Sequence, residues 1–158
     1  MTKLTHTDNE GKAKMVDVSE KMVTKRIAES RCKVYLSKEA FEAIVQNKIQ
    51  KGDVLAVARV AGIMGAKKTS ELIPLCHNIP IDTVDIDFVL DENQFAIEIL
   101  AKAVTTFKTG IEMESLTAVT IAALTIFDMC KAVDKSITIS NVELIYKSGG
   151  KSGIYRKK

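Results

Sequence analysis

The sequence contains no tryptophan, only two prolines and only three cysteines among its 158 residues. Cys32, Cys76 and Cys130 are odd in number, widely spaced and free of any C-x-x-C pair, which argues against a disulfide framework or a zinc knuckle. The longest mostly apolar stretch, residues 118–127, is too short to span a bilayer, and residues 1–10 lack the apolar segment of a secretion signal. We therefore expect a cytoplasmic protein with no membrane partner.

The charge balance argues against a nucleic-acid partner. Lysine and arginine number 23 and aspartate and glutamate 20, and the two signs are interspersed along most of the chain. The exception is a group of basic residues near the C-terminus, which allows a local anion site: Lys147, Lys151, Arg156, Lys157 and Lys158.

Hydrophobic periodicity predicts the fold class. An apolar fraction of 46% is enough for one core, so we expect a single domain over residues 1–158, with residues 1–14 flexible. Four segments alternate in the manner of half-buried strands: 31–36, 82–90, 94–104 and 137–146. Three segments repeat apolar residues at helical spacing: 37–47, 53–73 and 112–133. The order β-α-α-β-β-α-β is typical of an α+β, ferredoxin-like fold, with helices packed on one face of an antiparallel sheet.

Two local signals refine this outline. Ser37 and Asp53 each precede an apolar helical repeat, as N-cap residues do. The alternation changes parity near Ser140 and Asn141, which predicts a bulge in the last strand.

The helix predicted after Gly110 carries polar residues that two interpretations explain. At 100° per residue, one side collects Glu114, Thr117, Thr125, Asp128 and Lys131. An ordinary amphipathic helix would expose that side to water, with Asp128 and Lys131 forming an i,i+3 pair. The threonines instead favour a side that faces a binding site, where Asp128 and Lys131 would act as an acid/base group and a cation.

The two prolines bracket a short segment that contains a histidine. Pro74 and Pro80 stiffen the loop Leu75-Cys76-His77-Asn78-Ile79 at both ends. The loop is either a tight connection or a site that presents His77. A thiol–imidazole dyad is disfavoured, because neighbouring side chains in an extended segment point to opposite faces.

Two further features favour an anion. Segment 147–153 is no Walker A loop, because Ile145 stands where that motif needs glycine, but its glycines could form a backbone anion nest; the alternative is a flexible basic tail. Lys51 lies just before the helix capped by Asp53, whose N-terminal dipole also attracts an anion.

Five blocks together resemble the MoaC family, over a span from about Leu4 to Gly153. They are Met15-Val16-Asp17-Val18, Lys51-Gly52-Asp53 through Leu72-Ile73-Pro74-Leu75-Cys76-His77, Lys108-Thr109-Gly110-Ile111-Glu112-Met113-Glu114, Asp128-Met129-Cys130-Lys131-Ala132-Val133, and Lys147-Ser148-Gly149-Gly150-Lys151-Ser152-Gly153.

The resemblance implies a lyase of molybdenum-cofactor biosynthesis. It would convert 3′,8-cyclo-7,8-dihydroguanosine triphosphate into cyclic pyranopterin monophosphate, with loss of pyrophosphate. By resemblance, Lys51 and Lys131 are the catalytic lysines and Asp128 is the acid/base carboxylate. The implied substrate-binding residues are Leu75, Cys76, His77, Met113, Glu114, Arg26, Lys67, Glu112 and Lys147.

The resemblance also implies a homohexamer built from dimers. Glu114 and Asp128 would lie roughly 21 Å apart on one helix, so either one extended substrate spans them or the pocket joins two subunits. The chemistry requires no redox cofactor. The sequence has no dedicated metal cage, so any Mg²⁺ would enter with the triphosphate.

Two other functions are weighed. An RNA-binding ferredoxin-like module needs an exposed aromatic pair, but Phe88 and Phe95 fall at inward positions. A non-catalytic ligand-sensing domain would account for a pocket but not for Lys51, Asp128 and Lys131 together.

Overall fold

Residues 10–158 are described by a computed structural model of the chain. Its elements are β1 (Thr24–Tyr35), α1 (Lys38–Val45), α2 (Val54–Lys67), α3 (Thr69–Leu72), β2 (Thr83–Asp91), β3 (Ala96–Phe107), α4 (Glu112–Cys130), β4 (Thr138–Ser148) and β5 (Tyr155–Arg156). The expected order of elements is confirmed, with α3 and β5 added. The expectation for residues 1–14 concerns mostly residues 1–9, which lie outside the described part.

The five strands form one antiparallel sheet in the order β2-β3-β1-β4-β5. Alternate residues of β1, such as Cys32 and Val34, are fully buried and pair with Ile99 and Ile97 of β3. Those side chains form the core beneath the helices, together with partly buried Phe88, Phe95 and their neighbours. The α+β, ferredoxin-like fold class is therefore confirmed.

Both predicted N-caps are present. The Ser37 side chain accepts from the Ala40 amide at 3.2 Å, and the Asp53 carboxylate accepts from the Ala56 amide at 3.0 Å. The helix predicted over 53–73 is interrupted at Lys68. There the buried Thr69 hydroxyl donates to the Ala66 carbonyl at 3.0 Å, and it thereby satisfies a helix-end acceptor.

Small residues allow α2 and α4 to pack closely. A Cβ at Gly62 would lie 2.8 Å from the Ala118 carbonyl oxygen, and a Cβ at Gly65 would lie 2.7 Å from the Ile121 side chain. The absence of side chains at both glycines therefore sets the distance between the two helices.

Helix α4 is the central core helix. By length and hydropathy, 1.4 on average, it could cross a membrane, but half of it is buried inside this molecule, as the core helix of a soluble fold also is. Glu114, on its polar side, is buried, and Val133, at the end of the segment predicted as helical, is exposed. Glu114 borders a cavity, whereas Val133 lies beyond Cys130, where the helix ends.

The C-terminal part contains the predicted bulge. Asn141 has a φ of 53°, and the pairing of β1 with β4 shifts register between Arg31 and Lys33. The last residues form a short edge strand, in which Arg156 stacks 4.6 Å from the centroid of the Tyr146 ring.

A buried carboxylate ties the segment after α4 to the start of α1. Asp134 accepts from the Ser37 amide at 2.7 Å, and from the Ser136 amide and hydroxyl at 2.7 and 2.6 Å. The hydrogen bonds from Ser136 and Ser37 hold the pKa of Asp134 below its ordinary value. The charged form is therefore favoured in the folded protein.

We predict that Asp134→Ala lowers the free energy of unfolding by about 1–3 kcal/mol at pH 7, because the donors of Ser37 and Ser136 lose their charged acceptor. A lowered folded-state pKa stabilises the fold above the unfolded pKa of aspartate, and that stabilisation is lost as pH falls through the lowered value. In urea titrations, the difference in unfolding free energy between Asp134→Ala and wild type should therefore become smaller at acidic pH. Asp87→Ala, an exposed change on β2, is the control, and an equal loss in the two variants would contradict the prediction.

Candidate active site

A cavity of about 290 Å³ opens where the N-terminal segment, the proline-bracketed loop and the first turn of α4 meet. It is lined by Val16, Lys21, Leu75, Cys76, His77, Thr109, Gly110, Glu112, Met113 and Glu114. Six of the nine residues predicted to bind substrate therefore share one cavity. The pattern of the sequence could not show this, since two segments far apart in the chain, 75–77 and 112–114, contribute them.

Glu114 is the titratable group most affected by this environment. It is only 5% exposed, and burial raises its pKa to about 7, against an opposing backbone hydrogen bond and with a smaller contribution from the charge of Glu112. A carboxyl group with this pKa exists in both protonation states near neutral pH. It can therefore give or take a proton there.

His77 and Cys76 both border the cavity, although neighbouring residues of an extended loop were expected to diverge. His77 Nε2 donates to the Val16 carbonyl at 2.8 Å, which fixes the ring and links the loop to the N-terminal segment. Burial, and then the charge of Glu114, raise the pKa of Cys76. The thiol form is thus favoured, which agrees with the rejection of a thiol–imidazole dyad.

Lys147 does not line the cavity, but it forms an ion pair with Glu112, which does. The Lys147 ammonium lies 3.5 Å from the Glu112 carboxylate and also contacts the Ser152 hydroxyl. Lys147 comes from the end of β4, and Glu112 is the first residue of α4. This ion pair therefore connects the glycine-rich tail to the cavity.

Arg26 and Lys67 lie away from the cavity lining. The Arg26 guanidinium donates to the Phe107 and Lys108 carbonyls, both at 3.1 Å, and so braces the connection from β3 to α4. Lys67 is the exposed last residue of α2.

The three residues predicted to be catalytic form a second group, the carboxylate–lysine cluster of Lys51, Asp128 and Lys131. Lys51 Nζ lies 2.9 Å from Asp128 Oδ2 and 2.9 Å from the Asp128 carbonyl, and Lys131 Nζ lies 2.7 Å from Asp128 Oδ1. The side chains are 48%, 57% and 54% exposed, respectively. Hydrogen bonds from Lys131 and then Lys51 lower the pKa of Asp128 to about 2.

The cavity and the carboxylate–lysine cluster lie at opposite ends of α4. Glu114 and Asp128 are 14 positions apart on this uninterrupted helix, which corresponds to roughly 21 Å at about 1.5 Å per residue. Within one chain, the residues of each group therefore lie close to one another, but the cavity and the carboxylate–lysine cluster are far apart.

Some cavity residues were absent from the predicted site. Val16, Thr109 and Gly110 fall inside the blocks that carried the family resemblance, so those blocks could have indicated them. Lys21 stands in a polar segment without periodicity, and only the tertiary structure indicates it. Among residues 10–158, no group of three or more His, Cys, Asp or Glu side chains could hold a metal ion.

Comparison with known proteins agrees with the resemblance noted in the sequence. The profile of the MoaC family matches residues 15–150. A protein of Heliobacterium modesticaldum named cyclic pyranopterin monophosphate synthase is 54% identical over 155 residues, covering 98% of each chain. A protein of Clostridium acetobutylicum with the same name is 56% identical over 153 residues, covering 97% of this chain and 95% of its own.

A plant protein is similar over the same region. It is the Arabidopsis thaliana protein named cyclic pyranopterin monophosphate synthase, mitochondrial, which is 52% identical over 157 residues, covering 99% of this chain and 58% of its own length. Because the family profile covers most of the chain and the bacterial relatives match it nearly end to end, this chain belongs to the MoaC family.

Proposed function

We propose that Lys51, Asp128 and Lys131 are the catalytic residues of the cyclic pyranopterin monophosphate synthase activity that this chain shares with its relatives. This lyase of molybdenum-cofactor biosynthesis converts 3′,8-cyclo-7,8-dihydroguanosine triphosphate into cyclic pyranopterin monophosphate and pyrophosphate. The observation that supports these roles is the geometry of the cluster, in which two ammonium groups contact one carboxylate within 3 Å.

The lysines suit the phosphate step. A hydroxyl oxygen of the substrate attacks the α-phosphorus, an O–P bond forms, and the bond from that phosphorus to the pyrophosphate oxygen breaks. Negative charge grows on the non-bridging and leaving oxygens, where fixed ammonium groups stabilise it. Lys51 and Lys131, held by a shared partner, are already positioned for that task.

Asp128 becomes a proton acceptor when phosphate competes for its lysines. With a pKa of about 2, its carboxylate is ionised but weakly basic while both ammonium groups contact it. Phosphate oxygens that draw Lys131 or Lys51 away would let the pKa of Asp128 return towards its ordinary value. Substrate binding would thereby activate the base.

The cavity binds the part of the substrate derived from guanine. Glu114 and Glu112 provide carboxylate acceptors for N–H groups, while Met113 and Leu75 supply apolar contact. Glu114, with a pKa of about 7, can move protons during the ring rearrangement. His77 and Cys76 complete the wall, and Arg26, Lys67 and Lys147 are the proposed further contacts. Any Mg²⁺ would arrive on the triphosphate.

The site forms between subunits of a homo-oligomer, which we take to be a homohexamer. A distance of roughly 21 Å separates Glu114 from Asp128 on one helix, so a compact site needs the cluster of a second subunit. The outer surfaces of α2 and α4 supply exposed apolar area for such contact: Val57, Val60, Met64 and Leu124.

We also propose a cytoplasmic location, which the three unpaired cysteines support.

We predict that Lys51→Ala and Lys131→Ala each lower kcat at least about 100-fold, because each removes a charge that acts on the phosphate groups. Pyrophosphate release and fluorescence of the oxidised pterin would measure turnover, and circular dichroism would verify the fold. Lys135→Ala removes an exposed lysine just beyond the cluster and is the matched control. Wild-type turnover by either folded variant would exclude that lysine from catalysis.

We predict that Glu114→Gln raises the melting temperature relative to wild type progressively as the pH increases from 5 to 8. A raised folded-state pKa favours the neutral carboxyl group, so its contribution to stability is fully present below the unfolded pKa and is lost as pH passes about 7. Glutamine does not ionise, so the Glu114→Gln variant does not lose this stability as the pH rises. Thermal melts across this range are the measurement, and Glu92→Gln in the exposed β2–β3 turn is the control. A melting-temperature difference between Glu114→Gln and wild type that does not change with pH would contradict the titration of a buried Glu114.

We predict that mixing inactive Asp128→Asn and Glu114→Gln proteins, under conditions that exchange subunits, restores activity up to about a quarter of wild type. In random pairs, about one site in four combines an intact Glu114 from one subunit with an intact Asp128 from the other. Mass spectrometry would verify exchange. A fully active monomer, or proven exchange without rescue, would rule out the shared site.

A further inference from the structure

Thr105 is a polar residue at a fully buried position of β3. It alternates with Ala101 and Ala103, which are also buried, so the three residues share the face of the sheet that the helices cover. An apolar β-branched residue would fill such a position without the cost of burying a hydroxyl. What the hydroxyl of Thr105 contributes therefore depends on the group that it contacts.

The partner of Thr105 belongs to the proline-bracketed loop. The Thr105 hydroxyl donates to the Pro80 carbonyl at 2.5 Å, although the two residues are 25 positions apart in the chain. Proline has no backbone N–H, so its carbonyl is the one polar group through which it can be held. Thr105 therefore connects the residue at which the loop ends to the central part of the sheet.

Few other hydrogen bonds fix this loop. Within residues 10–158, three reach positions 74–81: the Cys76 amide to the Ile73 carbonyl, the His77 ring to the Val16 carbonyl, and the Thr105 hydroxyl to the Pro80 carbonyl. Pairing with β3 resumes at Asp82, whose amide donates to the Val104 carbonyl at 2.8 Å. Between His77 and Asp82, the described part of the chain therefore relies on Thr105 for its one hydrogen bond.

Apolar packing holds the same part of the loop against the sheet. Ile79 and Ile81, on either side of Pro80, are partly buried against a small cluster, which consists of Ala28, Ala103 and Ile111. Such contacts are not directional, so they keep the loop on the sheet without fixing its exact position. The hydrogen bond of Thr105 is directional and fixes the position of the Pro80 carbonyl.

We propose that Thr105 is a positioning residue of the active site, whose hydroxyl holds the end of the loop so that Leu75, Cys76 and His77 line the cavity. Its role in the loop rests on these contacts alone. Its role in the reaction rests on the proposed function, in which the cavity binds the guanine-derived part of the substrate. A loop that leaves its position part of the time lowers the fraction of protein able to bind, and the apparent affinity falls by that fraction.

Thiol labelling of the intact protein tests whether Thr105 holds the loop. Cys32 and Cys130 are buried, whereas Cys76 in the loop is partly exposed, so the rate at which an aromatic disulfide reagent modifies Cys76 reports the opening of the loop. Mass spectrometry identifies the labelled residue. Thr105→Val keeps the shape but removes the hydroxyl, and we expect Cys76 to react about fivefold faster while the two buried thiols stay protected. Thr105→Ser keeps a hydroxyl and should retain the wild-type rate.

Steady-state kinetics test the effect on the reaction. We expect Thr105→Val to raise KM about fivefold and to leave kcat within about twofold of wild type, because saturating substrate draws the loop back into position. Thr105→Ser should have the KM of wild type. Thr106→Val is the matched control, since it removes the hydroxyl of the neighbouring, exposed threonine, whose partner Asp82 is also held through its own amide. Its KM and its labelling rate should both stay within about twofold of wild type.

The inference is overturned if Thr105→Val leaves the labelling rate of Cys76 unchanged. It is also overturned if Cys32 and Cys130 become labelled as well, because Thr105 would then support the whole fold rather than the loop, or if Thr106→Val has an equal effect. Faster labelling of Cys76 with an unchanged KM would overturn the role in the reaction. Failure of the proposed function would show separately, as wild-type turnover by folded Lys51→Ala, whatever the labelling gives.

Discussion

The close packing of α4 against α2 and the sheet is the constraint on which the rest of this structure depends. Gly62 and Gly65 let α2 approach α4 where any side chain would meet Ala118 or Ile121. The helix that results is half buried and 19 residues long. Because the helix is continuous, the residues at its two ends are separated by roughly 21 Å, and for this reason we propose that a second chain completes the site.

The two ends of that helix shift the pKa of a carboxyl group in opposite directions. At the N-terminal end, burial raises the pKa of Glu114 to about 7. At the C-terminal end, the hydrogen bonds of Lys131 and Lys51 lower the pKa of Asp128 to about 2, although Asp128 is exposed. Desolvation favours the neutral form of a carboxyl group and cations favour the charged form, so one helix carries groups for two roles. Such a division suits the proposed reaction, which moves protons within a ring and also breaks the phosphoanhydride bond to pyrophosphate.

Several segments around the cavity meet at the end of the sheet where β1 begins. Loops from β3, the glycine-rich tail after β4 and the N-terminal segment all meet there, and Arg26 braces the first of them through the Phe107 and Lys108 carbonyls. Lys108 in turn donates to the Ser19 carbonyl at 2.6 Å. Removal of one of these connections would therefore disturb the cavity, which Lys21 of the N-terminal segment borders.

The sequence by itself determined the order of the elements, both helix caps, the bulge near Asn141 and the family, because periodicity, capping and motifs are local properties of a chain. Through motifs rather than periodicity, it also named six residues of the cavity and the three residues of the carboxylate–lysine cluster. Only the tertiary structure decided that Glu114 is buried, that Lys51 and Lys131 share Asp128, and that Lys21 borders the cavity. Those facts depend on contacts between residues far apart in the chain, and burial and electric fields arise only when such residues pack together.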